Sequence, residues 1–260
     1  MQPTLTEEEL RRYSRTITLP KVGPEGQRKL KAASVLLVGV GGLGSPMAMY
    51  LAAAGVGRIG IVDPQKVDVT NLQRQVIHDT DMIGRLKVDS ARETMLRLNP
   101  NIHVDTYVES FTPENAEKIA GDYEILVDGT DNFHTRYLIN DLCVQRGKTY
   151  VYGSVYRFEG QVSVFDAQKG PCYRCLFPEP PPPDLIVKTS DTGVFSALPG
   201  TVGTIQASET LKLILGIGEP LIGKLLLYDA LSMTFQIVRL VKKTDCAVCG
   251  TEPTITGSVD

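Results

Sequence analysis

The segment Ser34-Val-Leu-Leu-Val38 is apolar throughout and of strand length. It runs straight into Gly39-Val-Gly-Gly-Leu-Gly44 and then into an Ala-, Met- and Leu-rich stretch from Ser45 to Ala54. That order reads as strand, glycine turn and helix. Glycines at such a turn let the backbone reverse sharply and approach a phosphate, and the following helix offers unpaired N–H groups at its positive end. A second apolar strand, Arg58 to Val62, ends at Asp63, 24 residues beyond Gly39. A carboxylate there can accept hydrogen bonds from ribose hydroxyls. Dinucleotide-binding dehydrogenases share this much, so the glycines alone do not choose the chemistry.

The same alternation continues along the chain. Helical spacing covers Lys87 to Leu98 and stops at Asn99-Pro100; helices are also expected over Pro113 to Ile119, Asn132 to Gln145 and Gly203 to Leu215. Strands are expected over Ile102 to Val108, Glu124 to Val127 and Thr149 to Tyr152, then over Gln161 to Phe165, Leu225 to Tyr228 and Thr234 to Val241. The expected fold is α/β: a Rossmann-like, mainly parallel sheet with helices on both faces, extended by antiparallel strands in the C-terminal half. Residues 1–260 are expected to form one domain. It has a helical arm within 1–30 (Thr6 to Leu30), a proline-rich crossover loop over 177–193 and a flexible tail over 251–260.

A net charge of -3 gives no reason to expect direct nucleic-acid or membrane binding. No stretch reaches the roughly 18 apolar residues of a spanning helix, and the polar Met1 to Glu9 is not a secretion signal. The expected location is the cytoplasm. Four of the five cysteines form the pairs Cys172-x-x-Cys175 and Cys246-x-x-Cys249. Each pair can present two thiolates, and two pairs complete a tetrahedral site suited to Zn²⁺. With 70 residues between Cys175 and Cys246, the site is a long-range clamp. No position would remain open for a catalytic water, so the metal is read as structural; a redox dithiol is the competing account.

Beyond Asp63, the run Asn71-Leu-Gln-Arg74-Gln75 brings an amide and a guanidinium, and Lys87 opens the next helix. Arg and Lys converging on a triphosphate would neutralise a departing pyrophosphate. Asp131, expected at the end of a strand on the sheet's carboxyl edge, could hold Mg²⁺, which takes few carboxylates plus phosphate oxygens. Read singly, Arg74 and Lys87 are equally solvated surface charges.

Taken together, Gly39-x-Gly-Gly-Leu-Gly44, Asp63, Thr70-Asn-Leu-Gln-Arg-Gln75, Lys87 in Gly-Arg-Leu-Lys-Val, Asp128-Gly-Thr-Asp-Asn132 and the two cysteine pairs resemble the MoeB/ThiF family. These are bacterial relatives of ubiquitin-activating enzymes, and the match runs from about Arg11 to Cys249. The resemblance implies an adenylyltransferase. With ATP and Mg²⁺ it would activate the C-terminal glycine of a ubiquitin-fold sulfur-carrier protein for thiocarboxylate formation, in molybdopterin, thiamine or tRNA-thiolation pathways. It further implies ATP binding by Gly39, Gly41, Gly42 and Gly44, by Asp63 on the ribose, and by Thr70, Asn71, Leu72, Gln73, Arg74, Lys87, Asp131 and Asn132. Arg74, Lys87 and Asp131 would act in catalysis, joined by Arg15 from the second subunit of a homodimer. Zinc on Cys172, Cys175, Cys246 and Cys249 follows from the same likeness.

Many members of that family place a cysteine on the loop crossing the active site. Here Ser190 occupies the expected position, and a serine hydroxyl cannot form a disulfide and is far less acidic than a thiol. Sulfur would then come from an outside persulfide donor, a cysteine desulfurase or a rhodanese-type protein, or else Ser190 replaces a cysteine. Cys143 lies within an apolar helix and is expected to be buried. No appended sulfurtransferase domain is expected within these 260 residues. Competing readings are an NAD-dependent dehydrogenase with structural zinc, a tRNA-modifying adenylating relative, and a non-catalytic carrier-binding scaffold. His78, His103 and His134 are too scattered to supply a dehydrogenase constellation.

Overall fold

Side chains of β1 (Ser34–Val38) point alternately to two cores. Val35 and Leu37 join one buried cluster, and Leu36 and Val38 join the other. A strand buried on both faces has no solvent side, which is why its sequence is apolar without alternation. In a computed structural model of the protein, residues 3–182 and 192–255 are described. β2 (Arg58–Val62) and β3 (His103–Tyr107) extend the sheet to one side of β1, and β4 (Ile125–Asp128) and β5 (Thr149–Tyr156) to the other. These five strands are parallel. β6 (Glu159–Phe165), β7 (Lys224–Asp229) and β8 (Thr234–Arg239) continue antiparallel, giving the order β3-β2-β1-β4-β5-β6-β7-β8. The expected fold class is therefore the observed one.

Strand order reverses between β1 and β4, so the helices that follow them lie on opposite faces and a crevice opens at the carboxyl edge between them. Helices cover both faces. The first core packs α3 (Gly23–Ala32), α4 (Gly44–Ala54), α5 (Lys87–Leu98) and α8 (Leu198–Leu215) against the sheet. The second packs α6 (Pro113–Ala120) and α7 (Phe133–Arg146) around Tyr123, Tyr150, Tyr152, Phe165 and Tyr173. No described helix is long and apolar enough to cross a membrane.

The arm over Thr6 to Leu30 is helical in three pieces: α1 (Glu7–Arg12), α2 (Ser14–Ile17) and α3. The chain turns at Tyr13, which is buried and accepts a hydrogen bond from Asn99 Nδ2 at 2.8 Å, and turns again at Gly23 (φ 60°). Burying the tyrosine outweighs helix continuation. The tail is not loose over its first five residues. Thr251 donates to Thr244 O, and Thr254 and Ile255 donate to Ala247 O, each at 2.9 Å, which ties it to the second cysteine pair. Residues 256–260 lie outside the described residues, as do residues 183–191 of the crossover, Ser190 included.

Candidate active site and thiolate clamp

At the end of β1, Gly39 has φ 91°, and a Cβ there would meet Gly129 O at 2.8 Å. The turns after β1 and β4 thus press together, and only glycine allows it. Asp63, at the end of β2, closes the first turn: its Oδ2 accepts from Val40 N–H at 3.1 Å and its Oδ1 from Gln65 N–H at 2.9 Å. Both oxygens retain a lone pair for a ribose hydroxyl. Beneath the turn, His78 links Val40 O (3.3 Å from Nε2) to Ser90 Oγ (2.9 Å from Nδ1). Burial is the main cause holding His78 down to about 4, so the ring is neutral, donating to Val40 O and accepting from Ser90.

A cleft of about 480 Å³ opens along this edge of the sheet. Gly39, Gly41, Gly42, Asp63, Arg74, Lys87, Asp131 and Asn132 all line it. Lys87 is the first residue of α5 and 3 % exposed; its amine donates to Gln65 Oε1 at 2.7 Å. Burial lowers its pKa, partly offset by the charge of Asp63. Such a buried ammonium with one neutral partner has donors left for an anion. Arg74 donates to Thr70 O at 3.2 Å, which steadies its stem.

Other expected residues are not brought to the cleft wall. Thr70 and Asn71 lie on a short 3₁₀ turn (Val69–Asn71), where the Asn71 side chain accepts from Asp68 N–H, and Leu72 and Gln73 follow it. Gly44 begins α4 behind the turn. Arg15 is exposed on α2 and does not line the cleft. Asp131 does not end a strand: β4 stops at Asp128, and Asp131 sits three residues on in the loop to α7. Asn132 is the N-cap of α7, accepting from Thr135 N–H at 2.9 Å.

The loop carrying Asp131 is wired from below. Asp128 is wholly buried; Thr130 donates to its Oδ1 and Tyr150 Oη to its Oδ2 at 2.7 Å. Arg136 approaches the same Oδ2 with Nε at 3.6 Å and donates from Nη2 to Thr130 O at 3.3 Å. Burial pushes the Asp128 carboxyl up, opposed by Arg136, Thr130 and Tyr150. Arg136 also lines the cleft, and its Nε has no hydrogen-bond partner among the described residues. Sequence reasoning passed over Arg136, although it follows Asn132 by one helical turn and so shares its face. It also passed over Gln75, 4 % exposed in the cleft wall with its Oε1 unpaired among the described residues, though Gln75 closes the Thr70–Gln75 motif.

About the sheet's other end, Cys172, Cys175, Cys246 and Cys249 gather with all four sulfurs within 4.8 Å of one another. The closest approaches run between the two pairs, Cys175–Cys249 at 3.4 Å and Cys172–Cys246 at 3.6 Å. Tetrahedral zinc with bonds of ~2.3 Å separates its sulfurs by ~3.8 Å, so four converging thiols fit the ion better than two independent redox dithiols. Burial pushes the Cys249 thiol up to about 12; bound metal is what would keep such a sulfur ionised. Between the first two cysteines, Arg174 forks onto buried Asp141 of α7 at 2.8 and 2.7 Å, and Tyr173 N–H donates to Asn140 Oδ1. Cys143 is buried, as expected, and burial raises its thiol.

The protein is similar to solved and curated proteins over most of its length. A crystal structure of E. coli MccB with ATP superposes with a TM-score of 0.81 at 24 % identity, covering 92 % of this chain and 74 % of that one. That likeness is one of fold. A sulfur carrier protein adenylyltransferase of Thermus thermophilus is 50 % identical, covering 98 % of this chain and 96 % of the relative. The adenylyltransferase and sulfurtransferase MOCS3 of Culex quinquefasciatus is 49 % identical over 98 % of this chain, and the probable adenylyltransferase/sulfurtransferase MoeZ of Mycobacterium tuberculosis is 50 % identical over 92 %. This chain spans only 59 % and 62 % of those two relatives. The sequence profile of the ThiF family matches residues 13–248, and the chain belongs to that family.

Proposed function

We propose that the protein is an ATP-dependent adenylyltransferase that activates the C-terminal glycine carboxylate of a ubiquitin-fold sulfur carrier. One observation carries this reading: Arg74, Lys87 and Asp131 face the same cleft as the glycine turn. A hydride-transfer enzyme needs no such set of two cations and a carboxylate. Moreover, His78 is buried and neutral beneath the turn, while His103 and His134 are exposed outside the cleft lining. Relatives named as adenylyltransferases at about half identity support the same choice.

In this mechanism the glycine-turn amides, at the positive end of α4, take the phosphates, and Asp63 takes the ribose. Lys87 and Arg74 meet the growing negative charge on the β- and γ-phosphates. The carrier's carboxylate oxygen attacks the α-phosphorus; a new P–O bond forms, the bond to the β-phosphate oxygen breaks, and pyrophosphate leaves with that electron pair. Positioning and charge neutralisation suffice, with no covalent enzyme intermediate. Asp131 is the residue that would hold Mg²⁺, a single carboxylate being the donor set this ion takes beside phosphates. Bound Mg²⁺ would supply neutralisation of the triphosphate. Because Arg15 is exposed and is not part of its own cleft's lining, we assign it to the cleft of a second copy in a homodimer. The four cysteines would hold zinc as a structural clamp.

A protein partner also suits the surface. Every residue of the edge strand β8 is exposed, and Leu231, Met233, Phe235 and Ile237 present an apolar face there. The adenylate would pass to an external persulfide donor, and the cytoplasm supplies the ATP and reduced thiols this chemistry needs. The test is ATP–pyrophosphate exchange with purified ubiquitin-fold carriers ending in Gly-Gly, set against oxidation of reduced nicotinamide cofactor. Carrier-dependent exchange is expected; nicotinamide turnover without exchange would overturn the reading.

A further inference from the structure

β5 and β6 are joined through Arg157 and Phe158, and Arg157 adopts φ 51°. One left-handed residue at this point of a two-residue hairpin turn is where glycine is preferred. An L side chain there carries a conformational cost, and an arginine in its place calls for a role outside the turn. Its surroundings supply one. The returning end of the crossover is fastened to it: Phe195 N–H donates to Arg157 O at 2.9 Å, and Arg157 bridges to Val194. Val194 and Tyr156 line the β5 end of the cleft, opposite the β3 side where Ser110 and Phe111 stand. The guanidinium stacks over the Tyr156 ring at 5.1 Å, which holds its direction.

Arg157 is exposed and pairs with no carboxylate among the described residues. Around it lie half-exposed rings: Tyr156, and Phe158 against Phe195 at 5.9 Å. An arginine held on an aromatic ring and bordered by apolar surface is the make-up of an interface hot spot, not of a solvated face. Arg74 and Lys87 lie within the cleft lining, whereas Arg157 sits at its rim, beside the lining residues Tyr156 and Val194.

We propose that Arg157 is a specificity-determining residue that pairs with an acidic side chain flanking the C-terminal tail of the carrier. This rests on the adenylation reading. The probe is a ubiquitin-fold carrier ending in Gly-Gly that supports exchange by the unaltered enzyme. Arg157→Gly keeps the turn at least as stable, since glycine suits the backbone, so its melting temperature should equal or exceed the parent's. It should nevertheless raise the carrier KM about tenfold, and Arg157→Glu about 100-fold, with ATP KM and kcat at saturating carrier held. Carrier KM should depend less steeply on salt in both variants. An acid-to-Lys change beside the carrier's tail should restore Arg157→Glu. Unchanged carrier KM in both variants, a rise in ATP KM instead, or no carrier change that rescues Arg157→Glu would overturn this assignment while leaving the adenylation reading standing. Absence of exchange by the unaltered enzyme with every carrier would remove that reading, and this one with it.

Discussion

Thr130 donates both its backbone N–H and its hydroxyl to one oxygen of Asp128, at 2.8 and 2.6 Å. The turn that presents Asp131 is therefore closed on a carboxylate that never reaches solvent. Tyr150 holds the other oxygen from beneath. Removing that hydroxyl as Tyr150→Phe leaves a buried carboxylate short of a partner, at a cost of about 1–3 kcal/mol. Loosening the turn should also raise the KM for MgATP several-fold. Urea unfolding and exchange kinetics on one preparation check both; an unchanged midpoint would show that the bond contributes nothing.

Asp131 itself faces the cleft without supporting the fold, since β4 ends three residues earlier and α7 is capped by Asn132. Asp131→Ala is expected to lower exchange by at least about 100-fold, the scale of losing one preorganised charge contact. Melting temperature and metal content should stay at parental values. Full exchange in this variant would take Asp131 out of the mechanism.

In the clamp, Cys249 draws the C-terminal segment to Cys175, and the knuckle residue Arg174 pairs with Asp141 on α7. Cys249→Ser is expected to release the metal and to destabilise the protein by several kcal/mol, because structural zinc contributes folding free energy directly. Metal analysis by mass spectrometry and thermal melting would read this out. Full zinc content with an unshifted melt would show the clamp to be misassigned.

His78 sets a pH dependence with a definite sign. Its ring resists protonation down to about 4 in the folded chain, mainly through burial, whereas the unfolded chain takes the proton near 6.5. Between those values the unfolded state binds more protons, so stability falls as pH drops through that window and levels off below it, by up to about 3 kcal/mol. Urea midpoints of the parent and of His78→Gln, compared at pH 7.5 and 5.0, isolate the effect. The parent should lose more than the variant on acidification; equal losses would exclude His78 as the cause.

Much of this architecture is local information. Lys87 to Leu98 has the expected helix bounds because its apolar spacing begins after Leu86 and ends at Asn99-Pro100. β1 and β2 likewise coincide with their apolar runs. Gly39 and Asp63 sit just past the ends of β1 and β2, Lys87 opens α5, and all three cleft-lining residues stand out as motif positions on one line of sequence. Periodicity and turn chemistry act over a few residues, and a single chain records them openly.

What the amino-acid order determined unaided was the layered α/β class, the glycine turn, the pairing of cysteines into two knuckles and the family likeness. Only three-dimensional packing decided that Gln65 holds Lys87, that Tyr150 and Arg136 brace Asp128, and that Tyr13 breaks the N-terminal arm by burying against Asn99. Partners in these contacts lie between 8 and 86 positions apart. Their energies arise from excluding water around a particular buried charge or ring, a condition that exists only once distant segments have come together.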